Sequence, residues 1–165
     1  LVQRHPELYV SISVTTRRPR PGEVDGRDYY FVSESQFERM VANGELLEWA
    51  EFAGNFYGTP RAPVEEHIRR GDWVILEIEL EGARQIRKTF PDALRLFVLP
   101  PSLAELEQRI RSRGQDSDDA IARRLQRARE EIAAADEFNL QIVNDNFDRA
   151  VQQVEDSLFA VLLPR

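Results

Sequence analysis

The sequence predicts an α/β protein with a mainly parallel sheet flanked by helices and a β-rich lobe inserted after the first strand. Three observations predict it. Four short apolar, β-branched runs, at 8–15, 73–78, 94–99 and 140–144, read as buried strands. Helical patterns separate the last three, as crossover connections between parallel strands require. The stretch 17–71 behaves differently: aromatic-rich pieces around 29–32, 46–52 and 56–57 are cut by Gly26, Gly44, Gly54 and Gly58. Such a lobe commonly covers a ligand and closes on it.

The elements follow in order. Ser33-Glu34-Ser35-Gln36 is a capping box, with Phe37, Met40 and Val41 behind it and Gly44 as the stop. Ser102-Leu103-Ala104-Glu105 is a second box, followed by Leu103, Leu106 and Ile110 on one face. Ile121, Leu125, Ala128 and Ile132 stripe a helix over about 118–135. Ala150, Val151, Val154, Leu158 and Val161 form a closing amphipathic helix. The segment 109–129 concentrates seven arginines around a polar turn at 115–119, which reads as a flap between two helices.

Composition narrows the chemistry. The 165 residues suit one domain. Cys is absent, which excludes disulfides, thiolate metal sites and a Cys nucleophile. Only His5 and His67 are available as imidazoles, which argues against a His-based metal cluster or a Ser/His/Asp triad. A formal net charge of −7 argues against nucleic-acid or membrane-surface binding. No apolar run approaches the roughly 20 residues of a membrane span. The opening LVQRHPEL lacks the basic and apolar regions of a signal peptide, so a cytoplasmic location is expected. Of the 22 basic residues only Lys88 is a lysine. An anion must therefore meet a local arginine cluster.

Two constellations could carry chemistry. The run Ser13-Val14-Thr15-Thr16-Arg17-Arg18-Pro19-Arg20-Pro21-Gly22 ends a strand in hydroxyls, then shows three guanidiniums within four positions. Prolines stiffen the display, and guanidinium forks match phosphate oxygens bidentately. On composition alone it is also an ordinary solvated basic turn. The second run places Glu48 among aromatics, then Tyr57 and Thr59 beside Gly58. A carboxylate can accept from both N1–H and the N2 amino group of guanine, a donor pair that adenine lacks. Taken alone, that run also fits a plain amphipathic hairpin.

These residues resemble guanylate kinases. The likeness runs through SVTTRRPRPGEVDGRDYYFVS, GELLEWAEFAGNFYGTP, GDWVILEIELEGARQIR, LRLFVLPPSLAELEQRIRSRG, ARRLQRAREEI and IVND, nearly the whole chain in order. It implies a P-loop NTPase-like fold that moves the γ-phosphoryl of ATP to GMP with Mg²⁺, giving ADP and GDP. It implies a GMP-binding lobe over 13–72, a lid over 112–129 and a core from the remainder. Arg17, Arg20, Tyr29 and Tyr57 match the family's clamp on the GMP phosphate. Ser13, Glu48 and Thr59 match its guanine contacts. Glu77 and Glu79 stand where many relatives have Asp, on the guanine or Mg²⁺ side, and Gly82 matches a glycine that lets backbone approach the nucleotide. Arg113 and Arg124 match lid arginines that reach ATP phosphates or the transferring group, and Asn144 matches an adenine-side residue. The remaining arginines of the segment, Arg109, Arg111, Arg123, Arg127 and Arg129, are expected on a solvated face. The histidines are expected at the surface or a helix end.

The implied reaction needs no catalytic base, because the attacking phosphate oxygen is already ionised at neutral pH. It needs relief of phosphate–phosphate repulsion, in-line placement and exclusion of water. One departure stands out: no G-x-x-x-x-G-K-[ST] occurs, and Lys88 sits in Arg-Lys-Thr-Phe. In the family that loop precedes a helix ending in something like LVQRHPEL. The expectation is therefore an enzyme whose leading strand and phosphate loop lie outside these residues, leaving them inactive alone. The alternative is a non-catalytic guanylate-kinase-like module that recognises a partner protein or only GMP. The full apparent GMP set favours the enzyme. Its partners would be GMP and ATP, with no nucleic acid, membrane or protein partner implied and no metal ligand assigned within the chain.

Overall fold

The computed structural model describes residues 1, 4–112, 114 and 117–162 (for 161 and 162, the backbone). It is α/β, and its contacts divide it into two units, Leu1–Ala93 and Leu94–Arg165. The first unit begins with β1 (Leu8–Val10) and β2 (Val14–Thr15), then β3 (Tyr30–Phe31) and α1 (Glu34–Ala42). It continues with β4 (Leu46–Phe52), β5 (Asn55–Pro60), α2 (Arg61–Arg70), β6 (Trp73–Ile75) and α3 (Leu80–Thr89). Strand β1 pairs parallel with β6, while a second sheet runs β3-β2-β5-β4.

The single strand expected over 8–15 is in fact two strands in two sheets. Ser11 still donates its N–H to the Ile75 carbonyl, and then the chain leaves β6. Val14 and Thr15 pair antiparallel with Gly58 and Tyr57 of β5, and parallel with Tyr30 and Phe31. Apolar residues continue at Ile12 and Val14 across the change, so the pattern could not show the exchange of partners. The strand expected over 73–78 stops at Ile75, where its partner β1 also ends at Val10.

Local chemistry explains the helices. Ser33 caps α1 reciprocally with Gln36, and Phe37 is buried beneath it. Helix α2 lay hidden in a stretch read as β-rich, since only Val64 and Ile68 mark its apolar face and Pro63 sits within it. Pro63 falls in the first turn, where a missing N–H does no harm. Gly71 ends it at φ 84°, in the left-handed region. Val14, Phe37 and Leu46 form one core cluster, and Leu47, Val64 and Ile86 form another. Strand β4 supplies both.

The second unit holds β7 (Leu96–Leu99), α4 (Leu103–Ser112), α5 (Asp118–Ala133), β8 (Leu140–Val143) and α6 (Phe147–Leu162). Strands β7 and β8 pair parallel in register from Leu96↔Leu140 to Leu99↔Val143. Ser102 Oγ accepts from the Glu105 N–H, but the Glu105 carboxylate turns to Arg109. Ser117 caps α5. Ile121, Ile142 and Ala150 are buried, and Phe97 meets Phe138 edge to face at 5.0 Å.

Candidate active site

The geometry starts from strand pairing in the first unit. Glu48 on β4 stands directly opposite Thr59 on β5. Both side chains are buried, and Thr59 Oγ1 donates to Glu48 Oε1 at 2.5 Å. A register shift between Leu46 and Glu48 marks a bulge at Leu47. The extra residue reverses the alternation of β4. Leu46 packs with Phe37, and the Trp49 ring also meets Phe37, at 6.3 Å. Leu47 instead joins Ile86 of α3, and Glu48 lies against Gly82 of the same helix. Without the bulge, Glu48 would share the face of Leu46.

Gly82 serves this carboxylate directly. A Cβ built there would collide with Glu48 Oε2 and crowd its Cδ at 2.8 Å. The backbone that Gly82 brings close is thus its own helix, to Glu48. Burial pushes the Glu48 carboxyl above its ordinary value. The bonds from Thr59 oppose this, and the Glu79 charge adds to it. Glu79 is the N-cap residue of α3, which places it at the same end of the helix as Gly82.

The arginine run also has a definite structure. Thr15 Oγ1 donates to the Phe56 carbonyl at 3.0 Å and accepts from the Arg17 N–H at 3.1 Å. Thr16 Oγ1 accepts from the Phe56 N–H at 2.9 Å. These hydroxyls tie the root of the run to β5, which carries Tyr57 and Thr59. Arg17 lies over the rings of Tyr29 and Phe31, 5.2 and 5.8 Å from their centres. Tyr29 and Tyr57 meet edge to face at 6.3 Å. Glu77, exposed after β6, raises the Tyr29 hydroxyl pKa by its charge, secondary to burial and to Tyr57. Arg17, Tyr29 and Tyr57 are therefore gathered together, and Arg20 is exposed on the same turn. Ser13 is half-buried immediately before β2.

One member of this group carries no signal in a residue-by-residue reading. Glu23 accepts from Arg17 Nη1 at 3.0 Å and Nη2 at 2.8 Å, and from the Arg20 N–H at 2.7 Å. It braces both arginines at once. An acidic residue six positions after the first arginine, beyond a Pro-Gly turn, was the available clue. The Arg17 guanidinium, followed by the Arg20 N–H, holds the Glu23 carboxyl at about 2.

In the second unit Arg124 is half-buried on α5, and Asn144 follows β8, donating its N–H to the Leu99 carbonyl at 2.8 Å. Arg113 lies outside the described residues. Arg109, expected on a solvated face, is half-buried instead: Nη1 donates to the Asn144 carbonyl at 3.1 Å and Nε to Glu105 at 3.0 Å. Arg111 is exposed and paired with Glu107 and Asp118. His67 sits in the last turn of α2, stacked on Tyr9 at 3.6 Å and bonded to Asp72 at 2.8 Å. Among the described residues no three His, Asp or Glu side chains converge as metal ligands. No helix among them is long and apolar enough to cross a membrane.

Comparison with known proteins follows the same lines. The guanylate kinase family model matches residues 1–161. A guanylate kinase of Nostoc sp. is 67% identical over 159 residues, 96% of this chain and 80% of that protein. One from Trichodesmium erythraeum is 62% identical over 159 residues, 96% of this chain and 86% of its own. The crystal structure of guanylate kinase from Anaplasma phagocytophilum superposes with a TM-score of 0.84 at 32% identity, covering 98% of this chain and 80% of that one. By sequence over nearly its whole length, and by fold, this chain belongs to the guanylate kinase family.

Proposed function

We propose that the protein transfers the γ-phosphoryl of ATP to GMP, giving ADP and GDP, in the cytoplasm. The observation that carries the reading is the buried Glu48 carboxylate, held by Thr59 across the β4–β5 ladder with Gly82 alongside. A buried carboxylate is costly unless something donates to it. Thr59 donates to it, and a carboxylate has capacity for more. The N1–H and N2 amino groups of guanine fit that capacity.

Thr59 and Tyr57 are two residues apart on β5, so they share a face at about 7 Å spacing. The strand that reads the base thus also carries a member of the Arg17–Tyr29–Tyr57 group. That group, with Arg20, would hold the GMP phosphate through charge-assisted bonds. Ser13 would add a guanine contact, and Glu77 and Glu79 would line the same side. The acceptor phosphate is its own nucleophile, so the protein's tasks are orientation and charge neutralisation. For ATP, the proposed contacts are Arg113, Arg124 and Asn144, with Mg²⁺ arriving on the nucleotide.

A coupled assay tests the proposal. The protein, purified as its cell makes it, should release ADP with ATP–Mg²⁺ and GMP, and AMP should be a poor acceptor. Calorimetry should show AMP binding at least about 100-fold more weakly than GMP. Absence of ADP release with GMP would sink the assignment.

A further inference from the structure

We infer that Gln85 is a positioning residue for guanine recognition: its side-chain amide fixes the free edge of β4 beside Glu48. The inference rests on the reading in which Glu48 meets guanine. Strand β4 lies at the edge of its sheet, in the order β3-β2-β5-β4. On an edge strand every second residue turns both its N–H and its C=O away from the sheet. Trp49 is such a residue. Its N–H donates to Gln85 Oε1 at 3.1 Å, and its carbonyl accepts from Gln85 Nε2 at 2.7 Å. One primary amide therefore stands in for a neighbouring strand, at the position next to Glu48 and just after the bulge.

Gln85 lies on α3, one turn beyond Gly82. The double bond consequently sets two things at once. It holds the β4 backbone that aims Glu48, and it holds α3 at the height that brings Gly82 against the carboxylate. Thr59 Oγ1 anchors Glu48 Oε1, and Oε2 lies against Gly82. The direction of the other oxygen then depends on the backbone and on the helix wall. The Trp49 ring, packed against Phe37 and Phe56 at 6.3 and 6.0 Å, secures the same residue on the other face.

The test measures discrimination, because a general loss of folded protein weakens all ligands alike. IMP keeps N1–H but lacks the N2 amino group, so the ratio of IMP to GMP dissociation constants reports how well a carboxylate is aimed. Calorimetric constants for both ligands should be compared among the wild type, Gln85→Leu, Gln85→Glu and Glu48→Gln, with near-ultraviolet circular dichroism checking the Trp49 environment. Gln85→Leu removes both bonds, and GMP affinity should fall about tenfold with the IMP/GMP ratio down at least about threefold. Gln85→Glu still accepts from the Trp49 N–H and cannot donate to its carbonyl, so it should fall between. It also provides the readout if the leucine variant fails to fold. If Glu48→Gln lowers the ratio while the Gln85 variants keep it at the wild-type value, Gln85 has no positioning role. If Glu48→Gln leaves the ratio unchanged, the reading of Glu48 is itself wrong and the inference falls with it.

Discussion

Glu23 shows how one residue's charge can hold a site in readiness. Its carboxyl lies at about 2 rather than the ordinary 4.5, chiefly because Arg17 donates to it and then because the Arg20 N–H does. A depressed folded-state pKa stabilises fully above the ordinary value, and the contribution disappears as pH falls through the folded one. The window is therefore from about 4.5 down to about 2. Thermal melts should show wild type above Glu23→Gln at pH 6, with the gap closing as pH approaches 2. An equal gap at both ends would mean the pair contributes nothing. Glu48 has the opposite sign: burial raises its pKa, so its ionised form weighs against the fold as pH rises. Under the proposed function, that cost is offset when guanine donates to the carboxylate.

At the scale of elements, the β4–β5 hairpin matters most, because it carries Glu48, Tyr57 and Thr59. Its loop is two residues, between Phe52 and Asn55. Ala53 adopts φ 51° and Gly54 φ 74°. Two successive positive φ values match the twist of the strands, but they suit Asn-Gly far better than Ala-Gly. Ala53→Asn should stabilise the protein by roughly 0.5–1 kcal/mol. Urea unfolding with an unchanged slope would show it as a raised midpoint, and an unmoved midpoint would mean the turn stores no strain. Capping boxes were legible to different degrees. Ser33 and Gln36 close theirs reciprocally, whereas Glu105 pairs with Arg109, which in turn binds the Asn144 carbonyl. A four-residue motif cannot show that a competing cation lies one turn away.

At the scale of the whole molecule, the residues proposed for GMP fall in the first unit and those proposed for ATP in the second. The 165 residues contain no G-x-x-x-x-G-K-[ST] to cradle the ATP phosphates, and their only lysine, Lys88, is in the last turn of α3. A polypeptide of these residues alone is expected to bind GMP without transferring phosphate to it. Calorimetry should detect the binding, and measurable ADP release from that polypeptide would overturn the expectation. The first unit supplies the whole proposed GMP set, which is why GMP binding is expected of these residues.

By itself the sequence determined the α/β class, the capped helices and the family, because these depend on periodicity, local caps and motif order along the chain. Through resemblance it also proposed residues for guanine and for phosphate. Only the tertiary structure decided that 8–15 is divided between two sheets, that a bulge at Leu47 turns Glu48 toward α3, and that Gly82 makes room for its carboxylate. It alone paired Glu23 with Arg17 and Gln85 with Trp49. The physical reason is common to all of them. Each depends on which backbone lies across from which, and hydropathy and spacing along one chain carry no record of the partner on the other side.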